Sequence, residues 1–274
     1  KATRTLPKHG HCTCSWRSAH VSFAQSRSTL LTREQLRRNT EASSAMSKQN
    51  STQMSLNYWS GRWSTNDAPW TRQDIHDLLR DNAAVVLDGK RGGTVFLPMC
   101  GDAPELKWFY ERGFRVVGVE FVASVAHRFF TAHGLPVVEG RCPVAGCKIL
   151  HTPDLKLSIY ICDLYAFSRE CAGAMDIVWD RGGLVSVAED DRRRYIALMK
   201  SVLARDFSYA LYATEYDDAD FSGFPRNLPL PLIRRLYGED YQITQLGVTF
   251  IERSYVKNKI IRETLWHLKK GSTC

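Results

Sequence analysis

Acidic residues at the ends of apolar runs are the side chains in this chain whose placement first suggests chemistry. Glu120, Asp163 and Asp180 each close such a run. Glu120 also lies 19 residues after Gly101, the last residue of the turn Pro98–Gly101. A strand, a tight turn, a helix and a second strand ending in a carboxylate commonly hold a nucleotide-like cofactor, because the carboxylate accepts hydrogen bonds from ribose hydroxyls.

The turn itself narrows the class of cofactor. The dinucleotide pattern G-x-G-x-x-G is absent, only Gly101 remains, and Pro98 stiffens the backbone. Such a turn cannot cradle a pyrophosphate in the usual way. It favours a cofactor with a ribose and an adenine but no phosphate, and S-adenosylmethionine fits that description. The other interpretation is a single βαβ unit of an α/β protein, in which Glu120 is a solvated residue at a strand end.

Composition and charge exclude several classes of function. The chain has 274 residues, 44% hydrophobic and 24% charged, which suits one soluble α/β domain. No stretch approaches the ~18 uninterrupted apolar residues of a membrane-spanning helix. The net charge is +8, but residues 1–50 carry +7 of it, with nine Lys or Arg and two acids. The remainder is nearly neutral, so we expect no nucleic-acid-binding face.

The first 53 residues differ from the rest of the chain. They are rich in Ser, Thr and Arg and have no sustained apolar periodicity. Such a segment buries too little surface to offset its chain entropy. It is interpreted as a disordered basic tail, as an extension by the gene model before a start at Met46, or as a mitochondrial transit peptide. We expect the folded domain over residues 54–274 and a cytoplasmic location.

The cysteines indicate reduced thiols. Eight are present at irregular spacings, in a long chain without a visible secretory signal peptide. Cys142 and Cys147 are close enough in sequence to suggest half of a metal site. No matching second pair follows, so no metal site is predicted.

Along residues 54–274, short apolar runs typical of strands alternate with segments whose apolar residues have helical spacing. This alternation predicts a doubly wound α/β fold. The predicted strands are Thr94–Leu97, Val116–Val119, Lys148–His151, Lys156–Ile161, Met175–Asp180, Tyr209–Tyr216, Tyr241–Phe250 and Ile261–Leu268. The predicted helices are residues 56–63, Asp74–Val86, residues 103–113, Ala123–Thr131, residues 195–203 and Ile233–Tyr237. Arg192, Arg193 and Arg194 are expected on the solvent side of the helix at 195–203. We expect a mostly parallel sheet with an antiparallel C-terminal strand pair, because only a short connection joins the last two strands.

Four motifs in order carry a family resemblance: residues 96–101 (FLPMCG), 107–109 (KWF), 117–120 (VGVE) and 179–182 (WDRG). With these, residues 59–268 resemble the thiopurine S-methyltransferase family. The resemblance implies a monomeric, Rossmann-like class I methyltransferase. It also implies methyl transfer from S-adenosylmethionine to the sulfur of a small-molecule thiol such as a thiopurine. Spacing, charge and hydropathy predict no metal, nucleic-acid or membrane partner.

The resemblance also implies a set of cofactor contacts. They are Trp59, Trp63, Met99, Gly101, Glu120, Asp163, Leu164 and Arg181. Trp59 and Trp63 would close over the cofactor, although both are also interpretable as anchors of a helix to the core. Asp163 stands where the family has Ser, and a carboxylate can still accept a hydrogen bond from the adenine amino group.

The acceptor side is implied to include Trp70, Arg181 and Arg253. Arg181 would stabilise and orient a thiolate. Arg253 matches more loosely and is also interpretable as a solvated loop arginine. Asp180 either fixes Arg181 or caps the following helix.

Two alternatives to a thiopurine-type acceptor remain open from the sequence. One is a methyltransferase for small acceptors such as halide, hydrosulfide or selenide. The other is a degenerate module that binds the cofactor without turnover.

Overall fold

The structure, a computed structural model, describes residue 34 and residues 57–271, except 66, 218, 220, 222, 254–256 and 258–259. The predicted tail, residues 1–53, therefore lies outside the described residues apart from residue 34. The domain boundary after residue 53 stays a prediction. Within the described residues, no helix has both the length and the apolar character needed to cross a membrane.

One nine-stranded sheet organises the described chain, in the order β3-β4-β5-β2-β1-β6-β7-β9-β8. The strands are β1 Thr94–Leu97, β2 Arg115–Glu120, β3 Val138–Cys142, β4 Cys147–His151, β5 Leu157–Ile161, β6 Met175–Asp180, β7 Leu203–Glu215, β8 Tyr241–Glu252 and β9 Ile260–Lys270. The five strands from β5 to β7 in that order are parallel. The last pair, β8 and β9, is antiparallel, as is β7 with β9. The predicted fold class is confirmed.

Helices flank this sheet. They are α1 residues 57–64, α2 Asp77–Asp81, α3 Ala83–Leu87, α4 Glu105–Glu111, α5 Ala123–Ala132, α6 Arg169–Ala172, α7 Arg192–Val202 and α8 Leu230–Tyr237. The apolar faces of α2 to α8 join the buried strands in one main core. Trp63 of α1 instead packs with Ala68, Val122 and Val125 in a second, smaller cluster. The helix predicted around Trp59 and Trp63 is α1.

The central strands position the site. β1 is buried along its whole length, and its register pairs Leu97 with Gly118 of β2 and Phe96 with Val178 of β6. Strands covered on both faces read as continuous apolar runs, which is why these were predictable. Because they are parallel, the carboxyl ends of β1, β2, β5 and β6 meet at one edge of the sheet.

Three expectations about local structure are wrong. The helix predicted over Asp74–Val86 is broken at Asn82, whose side chain donates to the Leu78 carbonyl oxygen at 2.9 Å and ends α2. Strand β3 was missed because Val138–Cys142 is largely exposed and has few apolar residues. Arg192, expected on the solvent side of its helix, is 7% exposed and donates to the Asn227 carbonyl oxygen.

Candidate functional site

Glu120 ties the turn after β1 to the end of β2. Its Oε2 accepts from the Gly101 N–H at 2.9 Å, and its Oε1 accepts from the Val122 N–H at 2.7 Å. The residue is 6% exposed, and burial raises the pKa of its carboxyl group although these backbone donors oppose the shift. Each carboxylate oxygen retains a second lone pair, so the group fits the expected contact with two ribose hydroxyls.

The turn folds back over β2. The Cys100 N–H donates to the Val119 carbonyl oxygen at 2.9 Å. Met99 and Gly101 have φ values of +48° and +55°, in the left-handed region that favours glycine. Gly118 beneath is needed for this close approach, because a Cβ there would lie 2.7 Å from the Cys100 Sγ. A strained non-glycine residue at such a turn is typical of functional sites.

Three predicted site tryptophans form one group, here called the tryptophan cluster: Trp59, Trp63 and Trp70. Trp70 meets both others edge to face, with ring centroids 5.4 Å from Trp59 and 5.5 Å from Trp63. Trp63 packs on the turn, since a Cβ built on Gly101 would lie 3.3 Å from Trp63 Cζ2. The tryptophan cluster therefore covers the turn from the outside.

An ion pair that sequence reasoning missed holds the outer face of this cluster. The Arg128 guanidinium lies 4.5 Å from the ring centroid of Trp63 and 2.8 Å from the Asp102 carboxylate. Cation–π contacts of this kind add roughly 0.5–1 kcal/mol at exposed sites. No sequence signal marked Arg128, because its partners lie in the turn and in α1.

Asp163 and Leu164 lie at the end of β5, beside the end of β2. The Cys162 N–H donates to the Glu120 carbonyl oxygen at 3.1 Å and joins the two strand ends. The Asp163 carboxylate accepts from the Tyr165 N–H at 3.0 Å and so caps the short turn Leu164–Ala166, while Leu164 is buried. Both predicted adenine-side residues are thus at the same edge as Glu120.

Asp180 faces away from the residue it was expected to fix. Its carboxylate accepts from the Tyr209 hydroxyl at 2.6 Å, the Tyr195 hydroxyl at 2.8 Å and the Leu184 N–H at 3.1 Å. Burial raises the pKa of Asp180 against these donors. These contacts match the second interpretation, a cap on the segment after β6, and none of the described hydrogen bonds joins Asp180 to Arg181.

Arg181 is connected to the tryptophan cluster instead. Its Nη2 donates to the Trp70 carbonyl oxygen at 2.9 Å, and its guanidinium lies 6.0 Å from the ring centroid of Tyr212. Its Nε is buried and has no hydrogen-bond partner among the described residues. A guanidinium with an unused buried donor is suited to an anionic group.

Below Arg181 lies a buried polar group that the sequence did not reveal. The Tyr212 hydroxyl donates to Glu263, and Glu263 lies 3.3 Å from His76 Nε2. Burial raises the pKa of Tyr212 well above its usual value, and the charges of Arg181 and Arg253 act in the opposite direction. Arg253, which is half-buried and follows the last residue of β8, is therefore close enough for its charge to act on Tyr212.

No metal-binding arrangement is found in the part of the chain that the structure describes. There, no group of three or more His, Cys, Asp or Glu side chains is placed to hold a metal ion.

Comparisons with known proteins find one family over most of the described chain. Residues 54–271 match the family model described as thiopurine S-methyltransferase. A probable thiopurine S-methyltransferase of Danio rerio is 35% identical over 202 residues, which covers 73% of this chain and 87% of that protein. The thiopurine S-methyltransferase of Equus caballus is 34% identical, covering 67% of this chain and 76% of that protein.

Solved structures share the fold. The 1,6-didemethyltoxoflavin-N1-methyltransferase of Burkholderia thailandensis, with bound S-adenosylhomocysteine, has a TM-score of 0.56 and 14% identity, covering 82% of this chain and 90% of that one. The magnesium protoporphyrin IX methyltransferase of Synechocystis PCC 6803 has a TM-score of 0.53 and 12% identity, covering 80% and 96%. At this identity the likeness concerns the fold alone.

Proposed function

The chain belongs to the thiopurine S-methyltransferase family, and from that premise we propose that it methylates the sulfur of aromatic or heterocyclic thiols such as thiopurines. The coarser activity, S-adenosylmethionine-dependent methyl transfer, is that of the family. The observation that carries the finer proposal is Arg181, whose buried Nε is unused among the described residues. A monomeric state and a cytoplasmic location stay predictions.

The residues at the sheet edge would hold the cofactor as follows. Glu120 would accept from the ribose hydroxyls, while Asp163 and Leu164 would face the adenine. Met99 and Gly101 would form the floor, under Trp59 and Trp63. When bound, S-adenosylmethionine supplies an electrophilic methyl group on a positively charged sulfonium, which suits nearby indole faces.

The acceptor would lie on the other side of the tryptophan cluster. Arg181 is fixed there by the Trp70 carbonyl oxygen, and its second donor would orient and stabilise a thiolate. Arg253 adds positive charge near Tyr212. Aromatic thiols ionise near neutral pH, so this chain needs no strong general base. Holding the sulfonium sulfur and the acceptor sulfur in line, away from water, would supply much of the rate acceleration.

Calorimetry of the full chain with S-adenosylhomocysteine, followed by turnover on an aromatic thiol, tests the proposal. Saturable binding with methylation of the thiol is the expected result. Binding with turnover only on halide, hydrosulfide or selenide would replace the acceptor class. Binding without turnover on any acceptor would indicate a degenerate module, and no binding by folded protein would remove the cofactor site.

A further inference from the structure

Three cysteines form a row across the sheet edge formed by β3, β4 and β5. In the β3–β4 ladder Cys142 lies directly opposite Cys147. The β4–β5 ladder pairs Lys148 with Ile161, and the next step of that antiparallel register places Cys147 opposite Cys162. Directly opposed residues project their side chains to the same face. The three thiols therefore lie side by side on one face of the sheet.

Cys171 of α6 adds a fourth thiol to the row, and we call the four the cysteine cluster. Tyr160 lies two residues before Cys162, and its hydroxyl donates to the Cys171 carbonyl oxygen at 3.0 Å, which places Cys171 beside this row. The Cys171 thiol lies near that of Cys142, and the Cys147 thiol lies near that of Cys162. The contacts thus divide the cluster into two pairs, Cys142 with Cys171 and Cys147 with Cys162. All four are free cysteines.

Each pair combines a thiol that solvent can reach with one that it cannot. Cys142 and Cys147 are 2% and 8% exposed, whereas Cys162 and Cys171 are half-buried. When an accessible thiol lies next to a shielded one, the sulfenic acid formed on the first can be captured by the second as a disulfide before it is oxidised further.

We propose that the cysteine cluster is an oxidation site at which a hydroperoxide forms two disulfides, Cys142–Cys171 and Cys147–Cys162. The half-buried sulfur attacks the peroxide oxygen, the O–O bond breaks, and a sulfenic acid forms with release of water or an alcohol. The buried sulfur then attacks the sulfenic sulfur, and hydroxide leaves with the thiol proton as water. Each disulfide consumes one hydroperoxide, which takes up two electrons.

Backbone geometry allows a disulfide between Cys147 and Cys162, and it places Cys142 opposite Cys147 in the same way. Because Cys142 and Cys147 are both shielded from solvent, neither meets the peroxide first, and each is expected to pair with an accessible thiol instead. Directly opposite residues of antiparallel strands have Cα atoms about 4.5–5.5 Å apart, which falls within the roughly 4.4–6.8 Å spanned by disulfides. Cys147 and Cys162 can therefore be bridged with little movement of either strand. A shared metal ion is the weaker alternative, since the four thiols do not meet the arrangement of a metal site in the described chain.

Burial sets the speed of the reaction. It raises the pKa of the Cys162 and Cys171 thiols, so little thiolate is present near neutral pH. We therefore expect the thiols of the cysteine cluster to be oxidised by a sustained excess of peroxide and not by trace amounts of it.

Peptide mapping after hydrogen peroxide treatment of the full chain tests the proposal. Trypsin places Cys142 and Cys147 together in residues 142–148, Cys162 in residues 157–169 and Cys171 in residues 170–181. The expected product is all three peptides joined by two disulfides, which separate on reduction. Cys100, a buried residue of the turn, should remain alkylatable after unfolding and serves as the internal control.

Two serine variants assign the pairs. Cys142→Ser should leave residues 142–148 joined only to 157–169, and Cys147→Ser should leave them joined only to 170–181. A disulfide within residues 142–148, thiols that all remain alkylatable, or thiols protected by a zinc ion that a chelator removes would each overturn the proposal. Circular dichroism of both variants establishes that they are folded.

Discussion

His76 Nε2 lies 3.3 Å from Glu263 Oε2, and both residues are almost closed to solvent, at 2% and 4% exposure. The Leu78 N–H donates to His76 Nδ1 at 3.2 Å, so the ring proton resides on Nε2 and points at the carboxylate. Glu263 also accepts from Tyr212. Although burial alone would raise the pKa of Glu263, hydrogen bonds from His76 and Tyr212 hold it below its usual value.

This pair predicts a pH-dependent contribution to stability. The folded pKa of Glu263 is lowered, so its stabilisation is fully present above the unfolded value, about 4.3, and is lost as pH falls through the folded pKa. Glu263→Gln should therefore lower the free energy of unfolding most near pH 7, and progressively less below about pH 4. Urea unfolding of both proteins across this range measures the difference. A pH-independent difference would contradict the prediction, and Glu239→Gln, at an exposed position, is the control.

Glu120→Gln should weaken binding of S-adenosylhomocysteine. A hydrogen bond to a charged group contributes about 1.5–3 kcal/mol, which corresponds to roughly 10–100-fold in Kd. Titration calorimetry measures the loss. The matched control is Glu139→Gln, an exposed carboxylate paired with Lys148 on the β3–β4 hairpin. Equal affinity of folded Glu120→Gln and the parent protein would remove Glu120 from the cofactor site.

Gly101→Ala separates backbone strain from contact with the tryptophan cluster. Gly101 and Gly113 both have positive φ, +55° and +85°, and a side chain in that region costs about 1–2 kcal/mol. A Cβ at Gly113 would meet nothing within 4 Å, whereas one at Gly101 would press on Trp63. Both alanine variants should lose stability, but only Gly101→Ala should also lose affinity for S-adenosylhomocysteine. Comparable affinity in the two variants would contradict the proposed role of the turn.

Arg181→Ala should lower kcat on an aromatic thiol by roughly 10²–10³-fold, the usual effect of removing one donor to a developing or stabilised anion. Arg181→Lys should recover only part of this, because an ammonium lacks the planar fork of donors. Steady-state kinetics at saturating S-adenosylmethionine provides the measurement. Arg193→Ala, at an exposed helix position, should be neutral. An unchanged rate in Arg181→Ala would exclude Arg181 from the mechanism.

The fold was predictable where a single periodic signal decides the structure. Thr94–Leu97 and Met175–Asp180 have the predicted bounds, because strands buried on both faces are continuous apolar runs. Strand β3, exposed and sparse in apolar residues, carries no such signal.

The contacts of the candidate site were less predictable, because sheet register decides them. Asp180 and Arg181 are sequence neighbours, but β6 ends at Asp180 and Arg181 lies beyond it, and the Asp180 carboxylate meets Tyr195 and Tyr209 instead. His76 and Glu263 are far apart in sequence and meet only once β9 joins the sheet. The same limit hid the proposed partners of Cys142 and Cys147, because Cys171 and Cys162 come later in the sequence and lie close only in the folded chain.

The seating of Trp63 on Gly101 has an optical consequence. Three of the seven tryptophans of the chain belong to the tryptophan cluster, and one of their indole rings touches the turn directly. Any molecule that settles on this turn changes the polarity and the quenching around these rings. The protein thus carries its own fluorophore at the binding position. Intrinsic tryptophan emission can therefore follow ligand binding at the turn in solution without a label.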